Sequence, residues 1–554
     1  MYYYASKLNE ASCSGCNVKV PPVPSEAAPP PPAEPSQLMK ADPTILGTGL
    51  SYYDNDDYYS MVRGNKFMSE SGVRHLMMNG SLNYVSAQKV DQPQLQIPTV
   101  PSKSLSLPYV NSEKAEIEYK DGQIVSGTID SLVDLLRPGA SNTFVFTFLL
   151  CSRLFIRPHE LLAKLCKRYF RSYEKVGGSE LKDTAEKEIQ DMVSLVRVLD
   201  QWTNMFPYDF RDDRVMALVK SITQRCSAEH MSSVRADMSS MLERLLDKLT
   251  ALEKYEETLV EVPQVASVDC LPPGDILTLG LTPVELANRL TVLELHRLSF
   301  IGPEEFVQTF VPAQPSSSGK TITLHHVETK STRNLEAYAD WFNRLSYLVA
   351  TDIVKPAKSK YRARVIEQWV MTARECFNLG NFNSLMAIIS ALNMAPVTRL
   401  KKTWSRTSSV CVQQLRQLEL CVEPSGNHAR YRAALAAAPT ETAVPLLSVT
   451  CRDLHFANQG SPNKLSGNRI NFSKCSLLAR HVSSQLAARR LCAEGPAHAA
   501  PPPSAPSHHA PTAAFLTERS SLNERGLELS SFEREPPSDQ LEKERLKRLR
   551  GGGP

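Results

Sequence analysis

The sequence predicts an all-α chain in which two helical regions lie between disordered termini. Three observations lead there. Apolar residues recur at helical spacing across about 120–255 and again from Leu279 onward. Strand signals are sparse and no repeat of fixed period emerges, which disfavours a solenoid. The 38 prolines bunch at both ends, where they prevent continuous helix.

Residues 1–115 carry "PPVPSEAAPPPPAEPSQ", a Tyr- and Asp-rich patch and Gln/Pro/Ser runs without periodicity. Such a composition reads as a disordered arm. Its Pro29–Pro32 run suits a polyproline helix for an SH3-type partner, although a solvated linker is the default reading. Order begins near Ile117. Ile129, Leu132, Val133 and Leu136 mark a short amphipathic helix, "NTFVFTFLLCSRLF" a buried one, and "PHELLAKLCKRYF" a third opened by Pro158. Ile189, Met192, Val193, Val196, Leu199 and Trp202 form one helical stripe, "FPYDFRDD" at 206–213 interrupts it, and helices continue to about Tyr255. Residues 119–255 therefore read as a helical bundle.

A linker rich in proline follows at 256–278. From there Val284, Leu286, Leu290, Leu293 and Leu295 mark one helix, and Leu335, Tyr338, Trp341, Phe342, Leu345 and Leu348 give the next a broad apolar face. Val365, Ile366, Trp369, Val370, Ala373, Cys376 and Phe377 continue the pattern, and Leu385, Ile388, Ile389 and Leu392 resume it after Gly380-Asn381. Pro396 prevents simple continuation of that helix. Asn393 thus falls at a helix C-terminal end, where its amide can face a partner.

Bulk properties exclude several function classes. The net charge of +4, from 63 basic and 59 acidic residues, is too balanced for a dedicated nucleic-acid binder. The twelve cysteines are scattered through apolar stretches, as suits reduced thiols in a cytoplasmic protein. The N-terminus has no secretory signal pattern. The longest apolar run, "TFVFTFLLC", is too short to span a bilayer, so no transmembrane segment is expected.

Chemistry-bearing motifs are few. "QPSSSGKT" at 314–321 imitates a phosphate-binding loop, but Gln314 stands where the first glycine is needed and no apolar strand leads into it. Cys13-Ser-Gly-Cys16 has metal spacing without a second pair. His325-His326 lies in a polar insertion with no ligand cluster nearby. Neither a nucleophile–base pair nor paired carboxylates have recognisable context, so covalent catalysis, a metal and a cofactor are all without candidates.

"NLGNFNSLMAIISALNMAPVTRLKKTW" at 378–404, with "TRNLEAYADWFNRLSYLVATDI" at 332–353 upstream, resembles the catalytic domain of Ras-family guanine-nucleotide exchange factors. The likeness reaches the first subfamily of RasGEF-domain proteins, which pair an N-terminal exchanger motif with this domain. It runs from about Ser126 to Arg490 and resumes weakly near Phe515–Arg550. Matches at Arg333, Asn334, Asn343, Asn381, Asn383 and Asn393 are polar, and hydrophobic packing does not explain them.

The resemblance implies an N-terminal exchanger motif at 119–255 that braces a catalytic domain at 279–528, with a divergent Ala/Pro-rich segment at 490–514 and a basic tail at 529–554. It implies a Ras- or Rap-type small GTPase as partner and no bond chemistry. A bowl of helices grips one switch of the GTPase while a protruding helical hairpin displaces the other. Arg333, Asn334, Met386, Asn393, Tyr431 and Leu446 fall on the GTPase-binding positions, and His455 and Gln459 on the wedge of the hairpin, which spans about 446–490. Membrane recruitment would come through the lipidated GTPase.

The chain departs from the family pattern at four places. Leu446 and Leu447 stand where relatives often carry two aromatics. Gln459 replaces a glutamate taken to intrude on the Mg²⁺ and phosphate region, and a neutral amide should push less hard. His455 occupies a position that is apolar in well-studied exchangers. After Arg490, "GPAHAAPPPSAPSHHAPTAAF" replaces the expected closing helix. Two alternatives therefore stay open: a catalytically weak GTPase-binding module of the same fold, and a helical scaffold without a GTPase partner. The tail "QLEKERLKRLR" at 540–550 reads as a solvated basic helix rather than a membrane anchor.

Overall fold

The computed structural model describes residues 117–170, 181–226, 229–259, 262–310, 332–438, 443–487 and 510–551. The arm at 1–115 with Pro29–Pro32 and Cys13/Cys16, the 314–321 imitation loop, His325-His326 and most of the Ala/Pro-rich segment lie outside the described residues.

The described chain opens with an addition to the expected helices. Strands β1 (Ile117–Lys120) and β2 (Gln123–Gly127) pair antiparallel across Asp121-Gly122, both with positive φ. An Asp-Gly pair favours this tight hairpin because both central residues must adopt left-handed backbone. Six helices follow: α1 (Ile129–Asp134), α2 (Asn142–Ser152), α3 (Pro158–Phe170), α4 (Leu181–Met205), α5 (Asp213–Arg225) and α6 (Ser232–Glu257). Thr128 and Ser141 cap α1 and α2 by accepting backbone N–H bonds. "FPYDFRDD" forms a short 3₁₀ turn, Pro207–Arg211, pinned where Trp202 Nε1 donates to Asp209 at 2.8 Å and Arg153 pairs with the same carboxylate at 3.1 Å. Leu132, Leu149, Leu161, Leu199, Trp202, Phe206 and Ile222 are buried in the core these helices share.

Next come α7 (Pro283–Ser299), α8 (Pro303–Gln308), α9 (Arg333–Val354), α10 (Ser359–Asn378) and α11 (Phe382–Leu392). A capping box between Thr282 and Glu285 starts α7. Gly380, at φ +76°, turns the chain between α10 and α11, and the Asn381 side chain caps α11 by accepting from the Ser384 N–H at 3.0 Å. The short helices α12 (Ala395–Thr398) and α13 (Lys401–Trp404) lead to α14 (Ser409–Val422) and α15 (Ser425–Ala437).

A helical hairpin follows. Its arms are α16 (Leu447–Gln459) and α17 (Phe472–Gln485), joined through β3 (Lys464–Leu465) and β4 (Arg469–Asn471). The four strands make one sheet in the order β1-β2-β4-β3. The β2–β4 register, Ser126 with Asn471 and Gly127 with Ile470, ties the start of the hairpin's second arm to the N-terminal part of the chain. Finally α18 (Ala510–Thr517), α19 (Glu524–Arg534) and α20 (Gln540–Gly551) return to the body. The Glu535 carboxylate accepts bonds from Arg362 and Thr403, and Arg399 pairs with Glu542 at 3.0 Å. Helix α19 thus runs across the expected start of a basic tail at 529. Helix α20 itself buries no residue.

Candidate functional site

The polar positions of α11 look surplus to a core. Asn381 Nδ2 donates to Thr291 at 3.0 Å. Asn383 Nδ2, Ser384 Oγ and Trp341 Nε1 all donate to the Glu294 carboxylate on α7. Glu294 is wholly buried, and burial pushes its carboxyl above the usual range. Asn381 and Asn383 are therefore interior struts that fix α11 against α7 and α9.

Helix α11 also carries Met386 and Asn393. Two turns apart, they share one side of the helix. Met386 is half-buried, and Asn393, at the C-cap, donates its amide to Glu419 on α14 at 2.9 Å. Arg333 opens α9 with its side chain about half exposed and lies 3.6 Å from Glu256 at the end of α6. Asn334 behaves differently. It is 2% exposed, and its amide donates to the Tyr208 hydroxyl at 2.6 Å and to the Phe300 carbonyl at 3.1 Å. A side chain so enclosed offers a partner no surface. Asn334 joins α9 to the N-terminal helices instead.

Tyr431 and Leu446, placed on the GTPase-binding positions by the resemblance, meet each other. The Leu446 N–H donates to the Tyr431 hydroxyl at 2.8 Å, and both residues are buried. Beside them Phe382 N–H donates to the Val444 carbonyl and Val444 N–H to that of Gly380. The root of the hairpin is thereby fastened to the turn that starts α11. The two arms are joined by Thr450 Oγ1 donating to Gln485 at 2.6 Å and by Leu454 and Leu478, both buried.

On α16, Leu447, Val449, Cys451, Leu454 and His455 turn inward. His455 is 7% exposed and burial lowers its pKa, so a neutral imidazole lies within the hairpin rather than on its outer edge. The exposed apolar group is its neighbour, Phe456, at 55%. Gln459 and Gly460 are exposed at the tip. Sequence reasoning missed Phe456, although an aromatic out of phase with the Leu447–Cys451–Leu454 stripe was a usable signal.

The second arm rests on the N-terminal helices. Phe472 stacks on Phe144 of α2 with ring centroids 5.5 Å apart, and the Cys151 thiol donates to the Cys475 carbonyl at 3.6 Å. Among the described residues no cluster suited to holding a metal is present, and no helix is long and apolar enough to cross a membrane. The described residues present a braced hairpin with an exposed tip, rooted at the start of α11, the helix whose other end carries the Asn393 amide.

Comparisons with known proteins bear on this arrangement. A family model described as RasGEF domain matches residues 285–476, and one described as RasGEF N-terminal motif matches residues 123–224. The chain is 38% identical over 454 residues to Ras-GEF domain-containing family member 1B of Mus musculus, covering 78% of this chain and 92% of that one. It is 38% identical over 454 residues to member 1B-A of Danio rerio, covering 78% and 84%. It is 37% identical over 465 residues to member 1C of Macaca fascicularis, covering 79% and 93%.

Proposed function

This chain belongs to the RasGEF-domain family, and from that membership we propose that it is a guanine-nucleotide exchange factor that speeds GDP release and GTP loading on a Ras- or Rap-type small GTPase. No covalent bond is made or broken. The observation that carries the reading is the hairpin α16–α17, whose tip exposes Phe456 and Gln459 while its second arm is held by the β2–β4 pairing and the Phe144–Phe472 stack. A wedge can deform a partner only if it is stiffer than what it displaces, and these contacts supply that stiffness.

In this mechanism Arg333, Met386 and Asn393 grip one switch, with Asn393 exchanging its bond to Glu419 for one to switch backbone. Phe456 and Gln459 enter beside the other switch and hold the nucleotide pocket open. Tyr431 and Leu446 act from inside, fixing the angle at which α16 leaves the body. The exchanger binds the emptied GTPase better than the filled one, so linkage requires that incoming nucleotide weaken its grip by the same factor. Excess cellular GTP then sets the direction. The protein works in the cytoplasm and meets membrane through the lipid of its GTPase.

A second reading rests on Gln459. An exposed neutral amide where members of the family often carry a carboxylate fits a module that holds a GTPase and exchanges its nucleotide weakly. A binding measurement tests what both readings share. A Ras-type GTPase emptied by chelator should be retained by the immobilised full chain, and the GDP-loaded form should not. Equal retention of both forms contradicts the exchange reading, and retention of neither removes the GTPase as partner.

A further inference from the structure

Lys474 lies on α17 facing the other arm of the hairpin and is only 5% exposed. A buried ammonium demands acceptors, because it has three donors and loses hydration on burial. Three acceptors are supplied, all from the segment that ends α16 and forms the tip. Nζ donates to the Asn458 carbonyl, to the Ser461 carbonyl at 2.8 Å and to Asn463 Oδ1 at 2.6 Å. Asn471 works alongside it, donating Nδ2 to the Pro462 carbonyl at 3.1 Å and capping α17 through the Lys474 N–H at 3.2 Å.

Carbonyls at a helix C-terminus have no intrahelical partner and carry partial negative charge. A lysine from the opposite arm answers both needs at one point, and it does so around Gln459, which lies between the bonded residues 458 and 461. Apolar packing within the hairpin fixes the arms but not this turn. Gly460 and Pro462 leave few side chains there to pack.

We propose that Lys474 is a positioning residue for nucleotide exchange: its ammonium locks the hairpin tip, so that Phe456 and Gln459 meet the GTPase as a preset edge rather than a mobile loop. The inference rests on the exchange reading above. It assigns Lys474 no contact with the GTPase. Without the lock, the α11 face still docks the GTPase, and the wedge no longer completes its entry.

The test compares wild type with Lys474→Met, which keeps the length of the stem and removes charge and donors. With GDP-loaded Ras- and Rap-type GTPases as substrates, kcat should fall by about tenfold while KM stays within about twofold. Hydrogen exchange should quicken at the amides of 458–463 and stay unchanged in α10 and α11. Asn463→Ala, which removes one acceptor of three, should shift both readouts the same way by less, and it decides the matter if Lys474→Met does not fold. Wild-type kcat together with wild-type exchange protection in a folded Lys474→Met chain overturns the proposal, as does a rise in KM alone, which marks Lys474 as a docking contact. A wild-type chain that speeds release from neither GTPase sinks the exchange reading itself. That result is distinct, because the hydrogen-exchange comparison still reports whether Lys474 locks the tip.

Discussion

The ring of Phe144 on α2 stacks on that of Phe472 on α17, with centroids 5.5 Å apart and planes 29° from parallel. This stack joins the N-terminal helices to the arm that supports the hairpin tip, together with the Cys151–Cys475 bond and the β2–β4 pairing. Phe144→Ala should cost about 2 kcal/mol, less than a fully buried aromatic because Phe144 is only half-buried. Hydrogen exchange should quicken in α17 as well as α2. Loosening confined to α2 would show that the brace lies elsewhere.

Glu294 collects donors from Trp341, Asn383 and Ser384 in a site without water access. Glu294→Ala leaves those donors buried and unpaired, a loss of about 3 kcal/mol or more. Chemical unfolding measures it. The double variant Glu294→Ala/Asn383→Ala should lose much less than the sum of the two single changes, because they break one network. Additive losses would contradict the shared network.

Glu305 sits beneath the start of α9, accepting the Leu335 N–H at 2.8 Å and the Gly302 N–H at 2.9 Å. Burial raises its carboxyl from the ordinary 4.5 to about 8. A carboxyl whose folded pKa exceeds its unfolded one favours the fold when protonated, so its contribution is complete below about 4.5 and is lost as pH rises through about 8. Comparing Tm at about pH 6 and about pH 8.5 should show a smaller fall for Glu305→Gln than for wild type, since the amide does not titrate. Identical pH slopes would show that Glu305 is already ionised across this range.

At the tip, Gln459 can be changed without disturbing the core, because it is exposed. Gln459→Glu should raise the rate of GDP release several-fold by returning negative charge beside the Mg²⁺ and phosphate region. Stopped-flow fluorescence reads it. A lower rate would show that this position does not face the phosphates.

Much of the helical architecture was legible because apolar spacing reports burial directly. The Ile189–Trp202 stripe became α4, the break at Gly380-Asn381 falls where α11 begins, and Pro396 opens the short helix α12 just past the end of α11. The small sheet was harder to read. Its strands are two to five residues long, too short for alternation to show, and β4 depends on a partner over 300 positions away, although Asp121-Gly122 announced a tight hairpin. For the candidate site, the sequence names polar residues without saying which of them are exposed. Polar residues that resist a hydrophobic explanation divide into interior struts, such as Asn334 and Asn383, and half-exposed groups, such as Arg333 and Asn393, and only three-dimensional contacts separate the two. Spacing does separate the adjacent His455 and Phe456, since His455 lies in phase with Leu447 and Cys451 and Phe456 does not, but that the ring stays uncovered depends on how α16 packs on α17.

The rate of fluorescent GDP release from a Ras- or Rap-type GTPase in excess GTP, followed as the full chain is titrated, shows whether the chain drives nucleotide exchange. Release should accelerate to a saturating rate, and the acceleration should fall at least about tenfold with Phe456→Ala, whose exposed ring is the apolar edge of the wedge. An intrinsic release rate that no concentration of the wild-type chain changes, on any GTPase of either type, would contradict the exchange reading.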